Sequence, residues 1–153
     1  MSLRVFSCFV LLLLALGCNL RSSHGNDPKD RLAAYIEKSF AVKSVSDKAD
    51  LLGFLTGEAK TRLSGWSDDQ FQQAFIDQKR EFSKLLVRDV KSLTSEQVQL
   101  TYELSYIDKS KNTGAKVTQR KLAEMIKQDG VWKIGNVHNL NELVEFKDAL
   151  SLP

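Results

Sequence analysis

From Gln97 to Val137 the chain alternates apolar and polar residues in a way that predicts three antiparallel strands. Val98, Leu100, Tyr102, Leu104 and Tyr106 occupy one parity; Gln99, Thr101, Glu103 and Ser105 occupy the other. Period two is the pattern of a half-buried strand. Asp129-Gly130 is a two-residue type I′ hairpin signal, because both central positions of that turn need positive φ. With that turn, Gln128 faces Val131, Lys127 faces Trp132 and Met125 faces Ile134, so Trp132 and Ile134 share a face with Met125 and Ala123. The middle strand, 115–128, alternates less cleanly. Leu122 and Ile126 oppose Ala123 and Met125 in parity, which predicts burial on both faces or a bulge. Ahead of these strands, Phe82 to Leu93 also alternates and predicts a further strand, hairpinned to Gln97 through Thr94-Ser95-Glu96.

The residues before the strands predict helices. Asp27 or Asn26 caps a first helix with Pro28 in its first turn, where a missing N–H costs nothing. Leu32, Tyr35, Ile36 and Phe40 then recur at helical spacing. A second helix starts at Ser46-Asp47 and carries Leu51, Leu52 and Leu55 until Thr56-Gly57. A short third spans Glu58 to Leu63. Ser67 and Gln70 match a capping box for a fourth, running to about Gln78 and burying Phe71, Phe75 and Ile76. After Val137, Leu143, Phe146 and Leu150 fit a short helix, which we prefer over an additional strand. Helices followed by a run of antiparallel strands give an α+β domain, with N-terminal helices packed on a curved antiparallel sheet of about four strands.

Composition changes this picture little. The chain has 153 residues, enough for one domain with a full core. A mean hydropathy of −0.25 excludes a multi-spanning membrane protein. A net charge of +3 is too weak to argue nucleic acid binding. Both cysteines, Cys8 and Cys18, precede the domain and neither can staple it.

The N-terminus alters the picture most. Arg4 supplies a positive charge, Val5 to Leu16 an apolar run of twelve residues, and Gly17 a small residue at its end. Twelve residues are too few to span a bilayer, which takes about 20. Ala15-Leu16-Gly17-Cys18 resembles the lipobox of bacterial lipoproteins, which implies cleavage between Gly17 and Cys18 and acylation of Cys18; the alternative is an ordinary secretory signal with Cys18 incidental. The division is therefore 1–17 leader, 18–26 lipidated cysteine and linker, 27–153 domain. Two or three acyl chains hold a protein on a membrane essentially permanently. The linker from Asn19 to Asn26 reaches roughly 25 Å. Asn19 in place of the aspartate that retains Gram-negative lipoproteins at the inner membrane implies, by the same resemblance, the outer membrane facing the periplasm.

The element order, with Asp129-Gly130-Val131-Trp132-Lys133-Ile134 as its local motif, resembles the nuclear transport factor two-like, or cystatin-like, cone folds of many short bacterial lipoproteins. That resemblance implies a bent sheet wrapping helices around a pocket, and relatives that are isomerases or dehydratases as well as relatives that only bind partners. No catalytic set assembles from the sequence. Tyr35, Tyr102 and Tyr106 lie on apolar faces and read as core rings rather than catalytic donors. His24 and His138 are far apart with no cysteine nearby, so no metal site is expected, and no phosphate loop or nucleophile elbow supplies a cofactor site. Trp66 in its loop either plugs the core or stacks on a ligand. Lys109, Lys111, Lys116, Arg120 and Lys121 gather about the central hairpin as a patch for an anionic partner, or as a solvated hairpin whose lysines blunt edge pairing. The expectation is a membrane-tethered, non-catalytic binding or scaffold module, with Trp66, Tyr35, Tyr102, Lys109, Lys111 and Arg120 as contact candidates for an envelope protein or small ligand. A small-molecule or isomerase-like pocket protein is the alternative, and an inhibitor or immunity protein a further one, which predicts an apolar patch around Trp66. Homodimer formation stays open.

Overall fold

A computed structural model describes residues 27–110 and 114–146. The leader, Cys18, the linker and Lys111 lie outside the described residues.

The chain is α+β. Helix α1 (Pro28–Phe40) starts where Asp27 accepts a hydrogen bond from the Lys29 N–H, and it buries Leu32 and Ile36. A 3-10 turn (Val45–Asp47) leads into α2 (Lys48–Leu52), which buries Leu51. Helix α3 (Gly57–Ser64) buries Ala59 and Leu63, and α4 (Asp68–Phe71) opens on the expected capping box of Ser67 and Gln70. The expected fourth helix to Gln78 changes form after Phe71: residues Gln72–Ile76 make a π-helical turn. Insertions of this kind are rare and favour functional sites.

Four antiparallel strands follow in sequence order: β1 (Arg80–Ser92), β2 (Gln97–Asp108), β3 (Ala115–Gln128) and β4 (Val131–Phe146). Asp129 and Gly130 both have positive φ, 50° and 77°, and the register they set pairs Lys127 with Trp132 and Met125 with Ile134, as the alternation predicts. The irregular middle strand is resolved by its neighbour. Two residues of β4, Gly135 and Leu140, are skipped in the pairing with β3, and two of β1, Ser83 and Arg88, are skipped in the pairing with β2. The bulges thus lie in the outer strands, and they bend the sheet toward the helices.

The tail is a correction. Leu143 to Phe146 belong to β4, with Val144 opposite Val117 and Phe146 opposite Ala115, rather than to a helix; 147–150 lie outside the described residues. The skip at Leu140 reverses parity, so no single alternation runs through β4 and its sequence hides the strand. The first half of β3 would otherwise be an unpaired edge.

Leu32, Ile36, Leu51, Leu55, Leu63 and Phe71 from the helical half close over Val98, Leu100, Met125, Trp132 and Ile134 of the sheet. Residues 54–56 are stitched to β4 by hydrogen bonds from the Ile134 N–H to the Phe54 carbonyl and from the Thr56 N–H to the Ile134 carbonyl, each 2.9 Å. Gly57 follows at φ 52°, where a Cβ would come within 3.4 Å of the Gly135 carbonyl oxygen. Gly57 takes the left-handed conformation that starts α3 beside the bulge of β4, while Gly135 leaves room for the Ile126 side chain, which a Cβ there would meet at 2.7 Å.

Candidate functional site

The inward face of the sheet can be followed rung by rung. At one end Val98, Met125 and Ile134 align, then Leu100, Ala123 and Val137. At the other, Tyr106, Val117 and Val144 align. Between these apolar ends stand two rungs of another kind: Tyr102, Lys121 and Asn139, then Leu104, Gln119 and Glu142. The middle of an inward face is where polar groups are costly, unless they are partnered or open onto a space that admits water or ligand.

Here they open onto a space. A cavity of about 680 Å³ lies over these rungs, between them and α1, α3 and the π-helical turn. That is the size of a pocket for a small organic molecule. Its floor is Tyr102, Leu104, Gln119 and Lys121; α1 contributes Tyr35, Ile36 and Phe40; and Ala74, Phe75 and Ile76 of the π-helical turn form a wall. Trp66 is 36% exposed and packs on Phe75, ring centroids 6.1 Å apart, while Phe75 stacks on the buried Phe71 at 4.8 Å. A hollow of about 140 Å³ beside the cavity shares Tyr35, Arg62 and Trp66 with it.

Hydrogen-bond donors dominate the polar lining. Tyr102 is 3% exposed and lines the cavity, and among the described residues no buried side-chain N or O atom is left without a hydrogen-bond partner. Burial pushes its ionisation well above the ordinary tyrosine value, with the neighbouring Tyr35 adding to the effect. Burial also raises Tyr35, partly offset by the nearby Arg62 charge. Both phenols are therefore neutral donors at physiological pH. Burial lowers the pKa of Lys121, and the Arg80 guanidinium lowers it further; Glu142 pulls the other way. No carboxylate forms an ion pair with Lys121 among the described residues.

Local structure aims the two arginines. Arg80 donates from Nη2 to the Ala74 carbonyl at 2.6 Å and lies near the rings of Phe40 and Tyr106. Arg62 donates from Nη2 to Asn136 Oδ1 at 2.6 Å, and Asn136 in turn donates to Glu58. Glu142 accepts from Gln119 Nε2 at 2.5 Å, which ties the one acid of these rungs to the floor. None of the described residues that line the cavity is Asp, Glu or His. The lining can bind and orient an acceptor-rich molecule, but it holds no carboxylate or imidazole to act as general base.

The sequence candidates divide. Tyr35, Tyr102 and Trp66 come together at the cavity, with Tyr102 a buried core ring and Tyr35 packed against the core. The basic hairpin cluster does not come together as one patch. Lys109 pairs with Glu81 at 2.5 Å and Lys116 with Glu145 at 3.1 Å. Arg120 is on the outer face near Glu103, which is itself paired to Arg88 at 2.6 Å. Lys121 turns to the opposite face. The exposed large apolar residues besides Trp66 are on β1 (Phe82, Val90), in Leu93 just after it, and on β4 (Val131, Leu140, Leu143, Phe146). His138 sits 3.3 Å from Glu124, and among the described residues no group of three His, Cys, Asp or Glu is placed to hold a metal. No helix of the described residues is long and apolar enough to cross a membrane.

Sequence reading missed Arg62, Arg80 and Gln119 and misplaced the role of Lys121. A signal was present: 115, 117, 119, 121, 123 and 125 share the inward parity, and Gln119 and Lys121 are the polar pair in the middle of it. Comparison with models of known protein families and with curated proteins finds no match for this chain.

Proposed function

We propose that this protein is a membrane-tethered, non-catalytic binding module of a bacterial envelope, and that what it binds is a small molecule held in the cavity. The observation that carries the reading is the floor of that cavity: two polar rungs in the centre of an otherwise apolar sheet face, opening onto a space of about 680 Å³. A scaffold surface on the hairpin draws less support, because Lys109 and Lys116 already have carboxylate partners. An isomerase-like activity draws less too, since the lining offers donors but no carboxylate or histidine base. The bent sheet, the covering helices and the pocket are what a nuclear transport factor two-like cone would have, and we assign the domain to that fold. The tether rests on the leader and on Cys18, with the outer membrane, facing the periplasm, as the proposed location.

Two measurements test this. Full-length protein produced in a bacterial host should incorporate labelled palmitate, and Cys18→Ser should not; label retained in the variant would refute the anchor. Native mass spectrometry of the membrane-extracted protein should show a bound small molecule that is lost in Ala74→Trp, a substitution that fills the cavity from the π-helical turn. A ligand retained in that variant would place binding elsewhere.

A further inference from the structure

Resting on the pocket reading, we infer that the ligand is an organic anion, its carboxylate, sulfonate or phosphate held by Lys121 and its flat apolar body lying against Tyr35, Phe75 and Trp66. Three observations converge on this.

First, Lys121 is a partly desolvated ammonium on the cavity floor with no ion-pair partner among the described residues, and the charges that act on it are the cation Arg80 and, opposing it, Glu142. Removing a charge from water is costly unless an opposite charge meets it. Two cations brought together and only partly offset by Glu142 make the free protein less stable, and an anion entering from solvent reduces that penalty. Second, the polar groups beside Lys121 are all able to donate: the Tyr102 and Tyr35 hydroxyls are held neutral, and Asn139 stands next to Lys121 on the same rung. An oxyanion accepts several hydrogen bonds at once, and charge-assisted ones are the strong kind. Third, Arg62, Lys79, Arg80 and Lys121 line the cavity with no acid among the lining residues. Glu142 is the acid that faces this region, and its carboxylate is engaged by Gln119. Apart from Ser39, Gln78 and Gln119, the rest of the wall is aromatic and aliphatic, which suits a flat hydrocarbon body rather than a hydrated inorganic ion.

The test uses a matched pair of compounds, naphthalene-2-sulfonate and its neutral analogue naphthalene-2-sulfonamide. They are titrated calorimetrically into the full-length protein in lipid nanodiscs, with empty nanodiscs as blank. The sulfonate should bind at least about tenfold more tightly than the sulfonamide, the worth of one charge-assisted hydrogen bond. Lys121→Met should cut sulfonate affinity by about tenfold or more and leave sulfonamide affinity within about twofold, while Lys121→Arg keeps the preference for the anion. Equal affinity for the two compounds, or an unchanged sulfonate affinity in Lys121→Met, would overturn the anion assignment and leave the pocket standing. Binding of neither compound, or binding that survives Ala74→Trp, would overturn the pocket as well. The sulfonate to sulfonamide ratio in the unmodified protein decides the question even if Lys121→Met fails to fold.

Discussion

The inward face of the sheet has two regions built from the same strands and the same pleat, yet they do opposite things. Around Leu100, Ala123 and Ile134 it is dry and closed, and Leu32, Leu51 and Phe71 fill the space above it with no measurable exposure. On the next two rungs, around Tyr102, Lys121 and Gln119, it is polar and the helices stand off. The difference lies in what covers each region. Residues 54–56 are hydrogen-bonded to β4 over the closed end. Over the open end the cover is a π-helical turn and an arginine bonded to it, Arg80 on the Ala74 carbonyl. A core is closed where backbone hydrogen bonds pull a segment down onto it, and hollow where the covering backbone is held away by long side chains.

The closed end is the more sensitive to substitution. Leu100→Ala should destabilise the protein by about 2–5 kcal/mol, since a fully buried leucine has no room to relax. The measurement is the shift of the urea midpoint; a loss under about 1 kcal/mol would mean that the two ends are packed alike. Gly57→Ala should cost about 1–2 kcal/mol, because its left-handed backbone, φ 52°, is strained for alanine.

At the open end the sign reverses. Lys121→Met should raise the melting temperature of the ligand-free protein, because it removes a desolvated charge that sits beside Arg80. A fall would show that the lysine is part of the packing rather than of the site. The pH dependence sharpens this. The pKa of Lys121 is lowered on folding, so between that value and the unfolded value of 10.5 the unfolded chain binds more protons. Stability should therefore gain from this group as pH rises through that window, and the gain should be absent in Lys121→Met. Tyr102 acts oppositely. Its pKa is raised on folding, so it favours the folded state below the unfolded value of 10.0 and withdraws that contribution as pH climbs above it. Tyr102→Phe should be the mildest of these changes, within about 1 kcal/mol at neutral pH, and should shrink the loss of stability above pH 10.

Much of the closed end was legible in the sequence, and less of the open end. The alternation of Val98 to Tyr106 and the Asp129-Gly130 turn predict β2, the hairpin and its register, because strand parity and turn geometry are local. The tail of β4 was not legible, because the skip at Leu140 interrupts its parity and leaves Leu143 and Phe146 at helical spacing. Arg62 and Arg80 gave no local signal: they sit near a helix end and at a strand start, and only the approach of α3 and the π-helical turn to the sheet turns them inward.

By itself the sequence determined what depends on neighbours along the chain: the helix starts at Asp27 and Ser67, the strands and turn from Gln97 to Val137, and an α+β order of elements. The tertiary structure decided what depends on residues distant in sequence. It placed the bulges in the outer strands and drew β4 out to Phe146. It also left a cavity where the covering helix changes form. Local periodicity states which face a residue takes; whether that face meets a neighbour or an empty space is settled by how closely distant segments can approach.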